Sequence, residues 1–544
     1  MKLVSVEEMK AIEKQADAQG LTYDMMMDNA GQGLAEVVQG LPIDESDHEI
    51  LGLVGPGNNG GDTLVALSHL AADGWRARAY LIKRSPDALV DRFKKAGGEV
   101  ISADEDREFA SLTSFAETST ILLDGVLGTG VKPPIKGDVA TVLARVQAIL
   151  DEAIEPPYVI AVDCPSGVDC DSGEVPPECI PADLTVTMAA VKQGLMKLPA
   201  YEFIGDLQVV DIGLPAELPT LAGLQTEVAE ADLVASILPL RPDDAHKGTF
   251  GTVLIAAGSV NYTGAALLAG KAAYRVGAGL VTLAVPAQLH AALAGGFPEA
   301  TWVLLPQELG VISRDAASVL SESYSKASAL LVGPGLGLED TTADFVADLL
   351  TRQTQARSGA GHIGFLSSGA GKQEEKGVAL PPLVVDADGL KLVAKVRDWH
   401  KLLPAPSVLT PHPGEMAILT GLDKDEIQRE RQQVAVRFAR QWGHVVVLKG
   451  AFTIVAAPDG RTTLIPVASA ALARAGTGDV LAGLIVGLRA QGVQAFEAAV
   501  AGAWIHAQAG LYAANELGTT ASVLAGDLLR HVPAVISDVE AGAD

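Results

Sequence analysis

The sequence predicts two consecutive α/β domains, each built on a parallel sheet covered by helices. Three observations carry this. Continuous apolar runs alternate with helical stretches along the chain, as strands buried on both faces do. The 544 residues suit two to four domains at about 100–200 residues each. Hydrophobic residues make up 48%, charged residues 20% and aromatics 4%. That balance rules out a disordered chain and, with Ala and Gly abundant, favours tightly packed helix-on-sheet layers over a β-sandwich.

Charge and cysteine usage narrow the partners. The 40 basic and 67 acidic residues give a net charge of -27. Such a surface repels phosphate backbones, so no nucleic-acid partner is expected. An anionic ligand must then be held locally, by backbone amides, helix N-termini or a bound cation. Cys164, Cys170 and Cys179 are too few for a disulfide framework and lack the close pairs of a zinc site. They read as reduced thiols of a cytoplasmic protein. The N-terminus, MKLVSVEEMK, carries no apolar signal region. No uncharged apolar run reaches the ~18–20 residues of a membrane span, so no membrane partner is expected.

The elements follow in order. Ser5 and Glu8 fit a capping box, with Met9, Ile12 and Ala16 on one helical face. A second helix is predicted through MMMDNAGQGLAEVV. EILGLVG at 49–55 then runs into GNNGGD and a helix. Further strands are predicted at 76–82, 120–126, 158–163 and 184–190, and GDLQVVDIG reads as the last strand before a Pro-containing linker. From 246 a second series begins, with strands in GTVLIAAG, LVTLAVP, ALLVGPG, PLVVDAD, PSVLTP and HVVVLKG. The domains are expected at 1–220 and 225–540, with a Gly/Ser-rich surface insertion near 355–382.

Polar residues gather at strand ends, where open α/β sheets bind ligands. GPGNNGGD spans Gly55 to Asp62 at a strand-to-helix junction, where unpaired N–H groups suit an anion. Its glycines formally spell GxGxxG. RARAYLIKRS, however, lacks the acidic residue that a hydride-transferring dinucleotide enzyme needs at the next strand end. Asp124 ends another strand, ahead of a Gly-rich loop from Gly128 to Pro134, and Asp163 and Ser166 end a third. Asn59, Asp124, Asp163 and Ser166 can therefore meet in one crevice, and their oxygens suit a hard cation.

In the second half, ARAGTGDVLAG sets Gly476, Thr477, Gly478 and Asp479 at the start of an apolar helix. The amides of such a turn form an anion hole for a transferring phosphoryl group, and an Asp there can accept the proton of an attacking hydroxyl. TPHPGE places His412 and Glu415 at another junction, where Glu415 could hold a magnesium-bound water. VVLKGAFT supplies Lys449. Asp386 and Asp388 read more readily as helix caps.

GNNGGD, LDGVLGTG, VDCPSGVD and TMAAVKQGL, with the MDNAG helix, resemble the NAD(P)H-hydrate epimerase domain over about 1–216. The resemblance implies a Rossmann-like three-layer α/β/α domain that interconverts the R and S hydrates of NADH and NADPH. It implies hydrate contacts from Asn58, Asn59, Gly60, Gly61 and Asp62, from Gly128, Thr129, Gly130, Val131, Lys132, Pro133 and Pro134, and from Asp163, the expected catalytic carboxylate. Asn59, Asp124 and Ser166 would surround potassium. HKGTFGTVLIAAGSVNYTGAALL, GPGLG, DADGL, TPHPGE, LKGAFT and AGTGDVLAG resemble the ADP-dependent NAD(P)H-hydrate dehydratase domain over about 240–530. The implied fold is ribokinase-like α/β, with ADP as co-substrate and magnesium as cofactor. Ala265, Gly335, His412 and Asp479 would contact the hydrate. Lys449, Gly450, Ala451, Phe452, Thr453, Gly476 and Gly478 would contact the nucleotide. The Gly-Asn-Pro stretch expected before GTGD is replaced by ASAALARA. A cytoplasmic, homo-oligomeric repair enzyme is thus expected. The rivals are a ribokinase-like kinase of a vitamin precursor with a non-catalytic N-terminal ligand-binding domain, and a non-enzymatic interaction module.

Overall fold

The computed structural model describes residues 1–358 and 379–542, so the expected insertion near 355–382 lies largely outside the described residues. The chain divides into two units, Met1–Glu227 and Val228–Asp544.

In the first unit, α1 (Val6–Ala18) starts at the capping box read from the sequence. The Ser5 N–H donates to Glu8 Oε2 at 2.8 Å, and the Glu8 N–H returns to Ser5 Oγ at 3.2 Å. α2 (Tyr23–Gln39) follows the Thr22 cap. Seven strands come next: β1 (Glu49–Val54), β2 (Arg76–Leu81), β3 (Glu99–Ser102), β4 (Ile121–Gly125), β5 (Tyr158–Val162), β6 (Leu184–Met188) and β7 (Asp206–Val210). They lie in the order β3-β2-β1-β4-β5-β6-β7, every pair parallel. Two apolar clusters, one on each face, complete the expected three layers. The order reverses between β1 and β4, so a crevice opens beyond their carboxyl ends. α3 (Asn58–Ala72) starts there.

Among the described residues, nine strands of the second unit lie in one ten-stranded sheet: β8 (Thr252–Ala256), β9 (Leu280–Pro286), β10 (Thr301–Leu305), β11 (Ala329–Val332), β12 (Leu383–Val385), β13 (Val408–Leu409), β14 (Val445–Leu448), β15 (Ile454–Ala456) and β16 (Thr462–Leu464). Their order is β16-β15-β14-β13-β12-β11-β8-β9-β10. The run from β14 to β10 is parallel, while β15 and β16 return antiparallel. α4 (Gly264–Arg275), α5 (Pro413–Thr420), α6 (Thr477–Ala490) and α7 (Ala495–Leu517) carry or support the site residues. α6 is buried along most of its length, and its Gly483 and Gly487 seat it against α4. A Cβ at Gly483 would fall 2.2 Å from the Ala269 carbonyl oxygen, so the two helices pack backbone to backbone.

β3, β10, β15 and β16 are not among the strands expected from the sequence. β3, EVIS, mixes polar and apolar residues, while β10, TWVLL, is mostly apolar; both lie at sheet edges, and most of their positions are only partly covered.

Candidate active sites

The first site grows out of the β1–α3 junction. A Cβ at Gly55 would lie 1.8 Å from the Val126 carbonyl oxygen, and one at Gly60 would lie 2.1 Å from that of Gly55. Only glycine lets the turn, the helix and the loop after β4 meet so closely. No side chain caps α3, which leaves its first amides free to face a ligand.

A cleft of about 470 Å³ opens beside this turn. Asn58, Asn59, Asp62, Gly128, Thr129, Gly130, Val131 and Asp163 line it. Gly60 and Gly61 are buried behind it and serve the packing. Lys132, Pro133 and Pro134 stand outside its lining.

Asp163 follows β5 in the left-handed region, with φ of 64°. Such strain in a non-glycine residue is a mark of a functional position. Its Oδ1 accepts from Thr187 Oγ1 and from the Met188 N–H, both at 3.0 Å, and from the ammonium of Lys192. Lys192 is fully buried and also donates to Thr187 Oγ1 at 3.0 Å and to the Met188 carbonyl at 2.9 Å. Lys192 sits in the TMAAVKQGL segment and is not among the site residues expected from the sequence. A lone lysine in an otherwise apolar run is the signal, since a charge there needs a buried partner. Glu13 on α1 is a second unforeseen lining residue. Burial, then Asp163 and Glu13, push the Asp62 carboxyl well above the ordinary range, against the pull of Lys192. Among the described residues nothing hydrogen-bonds the Asp62 carboxyl.

Asp124, Ser166 and Asn59 do converge. The Ser166 hydroxyl donates to Asp124 Oδ1 at 2.6 Å, and the Ser166 N–H to Oδ2 at 2.8 Å. Asn59 Nδ2 donates to the Leu127 carbonyl at 3.0 Å, while Asn59 Oδ1 is buried without a partner. An orphaned buried oxygen on Asn59, which shares the Leu127 backbone with Ser166, fits an oxygen-ligated cation.

The second site forms where β11, β12, β13 and β14 end. Asp386 is fully buried and is not a cap. Its Oδ1 accepts from Lys449 Nζ at 2.7 Å and from Thr410 Oγ1 at 2.6 Å, and its Oδ2 has no partner. Asp388 accepts from the Gly337 N–H and from Lys391. Lys449 also stands 3.8 Å from Glu415. Burial pushes its ammonium down, but Asp386 and Glu415 outweigh that and raise it, so it stays charged.

His412 caps α5: its Nδ1 accepts from the N–H groups of Gly414 and Glu415 at 3.0 and 3.3 Å. Burial lowers the His412 imidazole, so its Nε2 carries the hydrogen facing Glu415 Oε1 at 3.3 Å. Glu415 Oε2 accepts from the His412 N–H at 2.9 Å. Ala265 and Gly335 touch, since a Cβ on Gly335 would fall 2.9 Å from that of Ala265. At the start of α6, a Cβ on Gly478 would meet Lys449 Nζ at 3.5 Å and Asp386 Oδ2 at 4.0 Å. Gly478 thus joins the turn to the Lys449–Asp386 pair. Burial first, then Asp386, push the Asp479 carboxyl up to about 7, with Lys449 opposing. Arg431, also unforeseen, donates to the carbonyls of Leu448 and Lys449 and fixes the turn before Gly450, Ala451, Phe452 and Thr453.

Among the described residues no group of three or more His, Cys, Asp or Glu side chains could hold a metal ion. No described helix is long and apolar enough to cross a membrane.

Comparison with known proteins decides the family. Residues 253–361 and 369–534 match the family described as NAD(P)H-hydrate dehydratase, and 23–194 match the YjeF-related protein N-terminus. The bifunctional NAD(P)H-hydrate repair enzyme Nnr of Moorella thermoacetica is 35% identical over 99% of this chain and 97% of its own. The chain belongs to the bifunctional NAD(P)H-hydrate repair enzyme family. The Thermofilum pendens member is 34% identical over 95% of this chain and 93% of its own. A solved ADP/ATP-dependent NAD(P)H-hydrate dehydratase from Bacillus subtilis, co-crystallised with ATP/Mg2+, is 29% identical. It covers 58% of this chain and 99% of its own, with a TM-score of 0.46. The dehydratase family match breaks between 361 and 369, inside the stretch read as an insertion.

Proposed function

We propose that this chain repairs hydrated nicotinamide nucleotides in two steps. The first unit interconverts the R and S hydrates of NADH and NADPH. The second dehydrates the S form at the expense of ADP, giving NAD(P)H, AMP and phosphate. The observation that carries the reading is the full-length likeness to a repair enzyme, joined to an intact carboxylate site in each half. A cytoplasmic homo-oligomer is part of the same proposal.

In the first cleft two carboxyls stand in opposite surroundings, one facing a buried ammonium and one without a partner. That difference divides the work between them. Asp62, kept protonated, would give a proton to the hydroxyl departing from C6 of the ring. The ring nitrogen's lone pair helps expel it, so C6 loses its configuration. Asp163, anchored by Lys192, would stabilise the cation and take the proton from the returning water. Potassium, held by Asn59 Oδ1, Asp124 and Ser166, would supply positive charge for the substrate's phosphates.

In the second unit Asp479 would take the proton of the C6 hydroxyl as it attacks the terminal phosphate of ADP. Gly476 and Gly478 amides and Lys449 would meet the developing charge. A poor leaving group thereby becomes a good one, and the ring nitrogen expels it. Magnesium would screen the phosphates. The free Asp386 Oδ2 and, through water, Glu415 would hold it. Ala265, Gly335 and His412 would contact the hydrate, and Gly450, Ala451, Phe452 and Thr453 the nucleotide.

Mixed hydrate epimers incubated with ADP, then chromatographed, are expected to yield reduced nucleotide, AMP and phosphate with both epimers consumed. A stable phosphorylated alcohol would instead favour the vitamin-precursor kinase. A base that must be ionised also sets the pH response. The Asp479 carboxyl, raised to about 7, is protonated below that pH. Dehydratase kcat/KM is therefore expected to fall about tenfold per pH unit below 7 and to level off above it. A profile flat across neutrality would contradict Asp479 as the base.

A further inference from the structure

His506 lies inside α7, buried, and no step described so far uses it. Its Nε2 stands 2.9 Å from the carbonyl oxygen of Thr477, the first residue of α6. A carbonyl can only accept, so Nε2 carries the hydrogen. Burial pushes the imidazole down to about 4, so at neutral pH the ring is an uncharged donor.

The bonded carbonyl belongs to the peptide that joins Thr477 to Gly478. That unit is planar, with its C=O and N–H pointing in opposite directions. Holding the oxygen from the α7 side turns the Gly478 N–H to the other side. A Cβ on Gly478 would fall 3.5 Å from Lys449 Nζ and 4.0 Å from Asp386 Oδ2, so this residue borders that pair. The helix leaves its first N–H groups without partners within it, and the His506 bond adds a second donor, from α7, to the Thr477 carbonyl that α6 itself engages. Thr477 adds a second clamp, its hydroxyl shared between the carbonyls of Leu472 and Arg474 at 2.9 and 2.8 Å.

We propose that His506 is a positioning residue for the dehydratase reaction, fixing the Thr477–Gly478 peptide so that its N–H faces the transferring phosphoryl group. The proposal rests on the reading of the turn at 476–478 as the anion hole. A positioned amide stabilises the transition state more than bound ADP, so its misalignment shows in kcat rather than KM.

The test uses the full chain with His506→Leu, which removes the donor, and His506→Gln, whose amide restores one. The leucine variant is expected to lose at least about tenfold in dehydratase kcat, with KM for ADP changed less than about threefold. Its epimerase rate, made by the other unit, should be unchanged. The glutamine variant should recover kcat to within about threefold of the parent. The proposal is overturned if the leucine variant turns over like the parent, if its loss falls in KM, or if glutamine gives no recovery. Should the leucine variant fail to fold, glutamine decides alone: kcat near the parent value supports the clamp, and a tenfold loss removes it. Asp479→Asn separates the two levels. If that variant still dehydrates, the site reading fails. If it is inactive while His506→Leu is unaffected, only the clamp fails.

Discussion

Replacing Asp479 with asparagine is expected to lower ADP-dependent recovery of reduced nucleotide from the S hydrate by about 10²–10⁴-fold, the range of a positioned general base. Epimerisation by the same chain should be untouched, because the first cleft is lined entirely by residues of the first unit. The substitution keeps the shape of the side chain and removes a carboxyl that burial and Asp386 already disfavour as an anion. The second unit should therefore fold at least as stably as the parent. A coupled dehydrogenase assay and a melting curve check both halves. Retained dehydration would refute the role given to Asp479, and parallel loss of both activities would refute the division into two sites.

The second large effect concerns Asp163 and Lys192. Asp163→Ala is expected to abolish epimerisation and also to destabilise the first unit, because it strands the buried Lys192 ammonium. Removing one member of such a pair typically costs about 3–5 kcal/mol. The paired change Asp163→Asn with Lys192→Met should restore most of the stability and none of the activity. Dehydration of purified S hydrate should survive in every folded variant. Hydrogen–deuterium exchange localised to Met1–Glu227 reads the stability, and interconversion of a single purified epimer reads the activity. A fully stable Asp163→Ala chain would show that the ammonium finds another partner.

Much of the fold is legible in the sequence because a parallel strand buried on both faces reads as an uninterrupted apolar run. β1, β4 and β5 are largely such runs, while β6, LTVTM, alternates apolar residues with buried threonines. β10, TWVLL, is also mostly apolar, yet only Leu305 of its five residues is fully covered, because it lies at the sheet edge. The Gly-rich turns at Gly55 and Gly476 are legible because their glycines answer to close backbone contacts or a positive φ. What the chain alone does not reveal is which distant side chain completes a charge. Lys192 lies 29 residues from Asp163, and Lys449 lies 63 from Asp386. Asp163 and Lys192 follow the neighbouring strands β5 and β6, while Asp386 and Lys449 end β12 and β14 on either side of β13, so both pairings are set by the sheet order. His506 likewise passes for an ordinary interior histidine until α7 is packed beside α6.

The first unit's sheet also has a consequence for synthesis on the ribosome. Its earliest strand, β1, sits in the middle of the finished sheet, and its latest, β7, closes one edge. The walls of the cleft include both Val6 and Ile212. A nascent chain must therefore release almost the whole unit before any substrate pocket exists. Until then it presents an open strand edge, a period in which a chaperone has more to offer it than a nucleotide does.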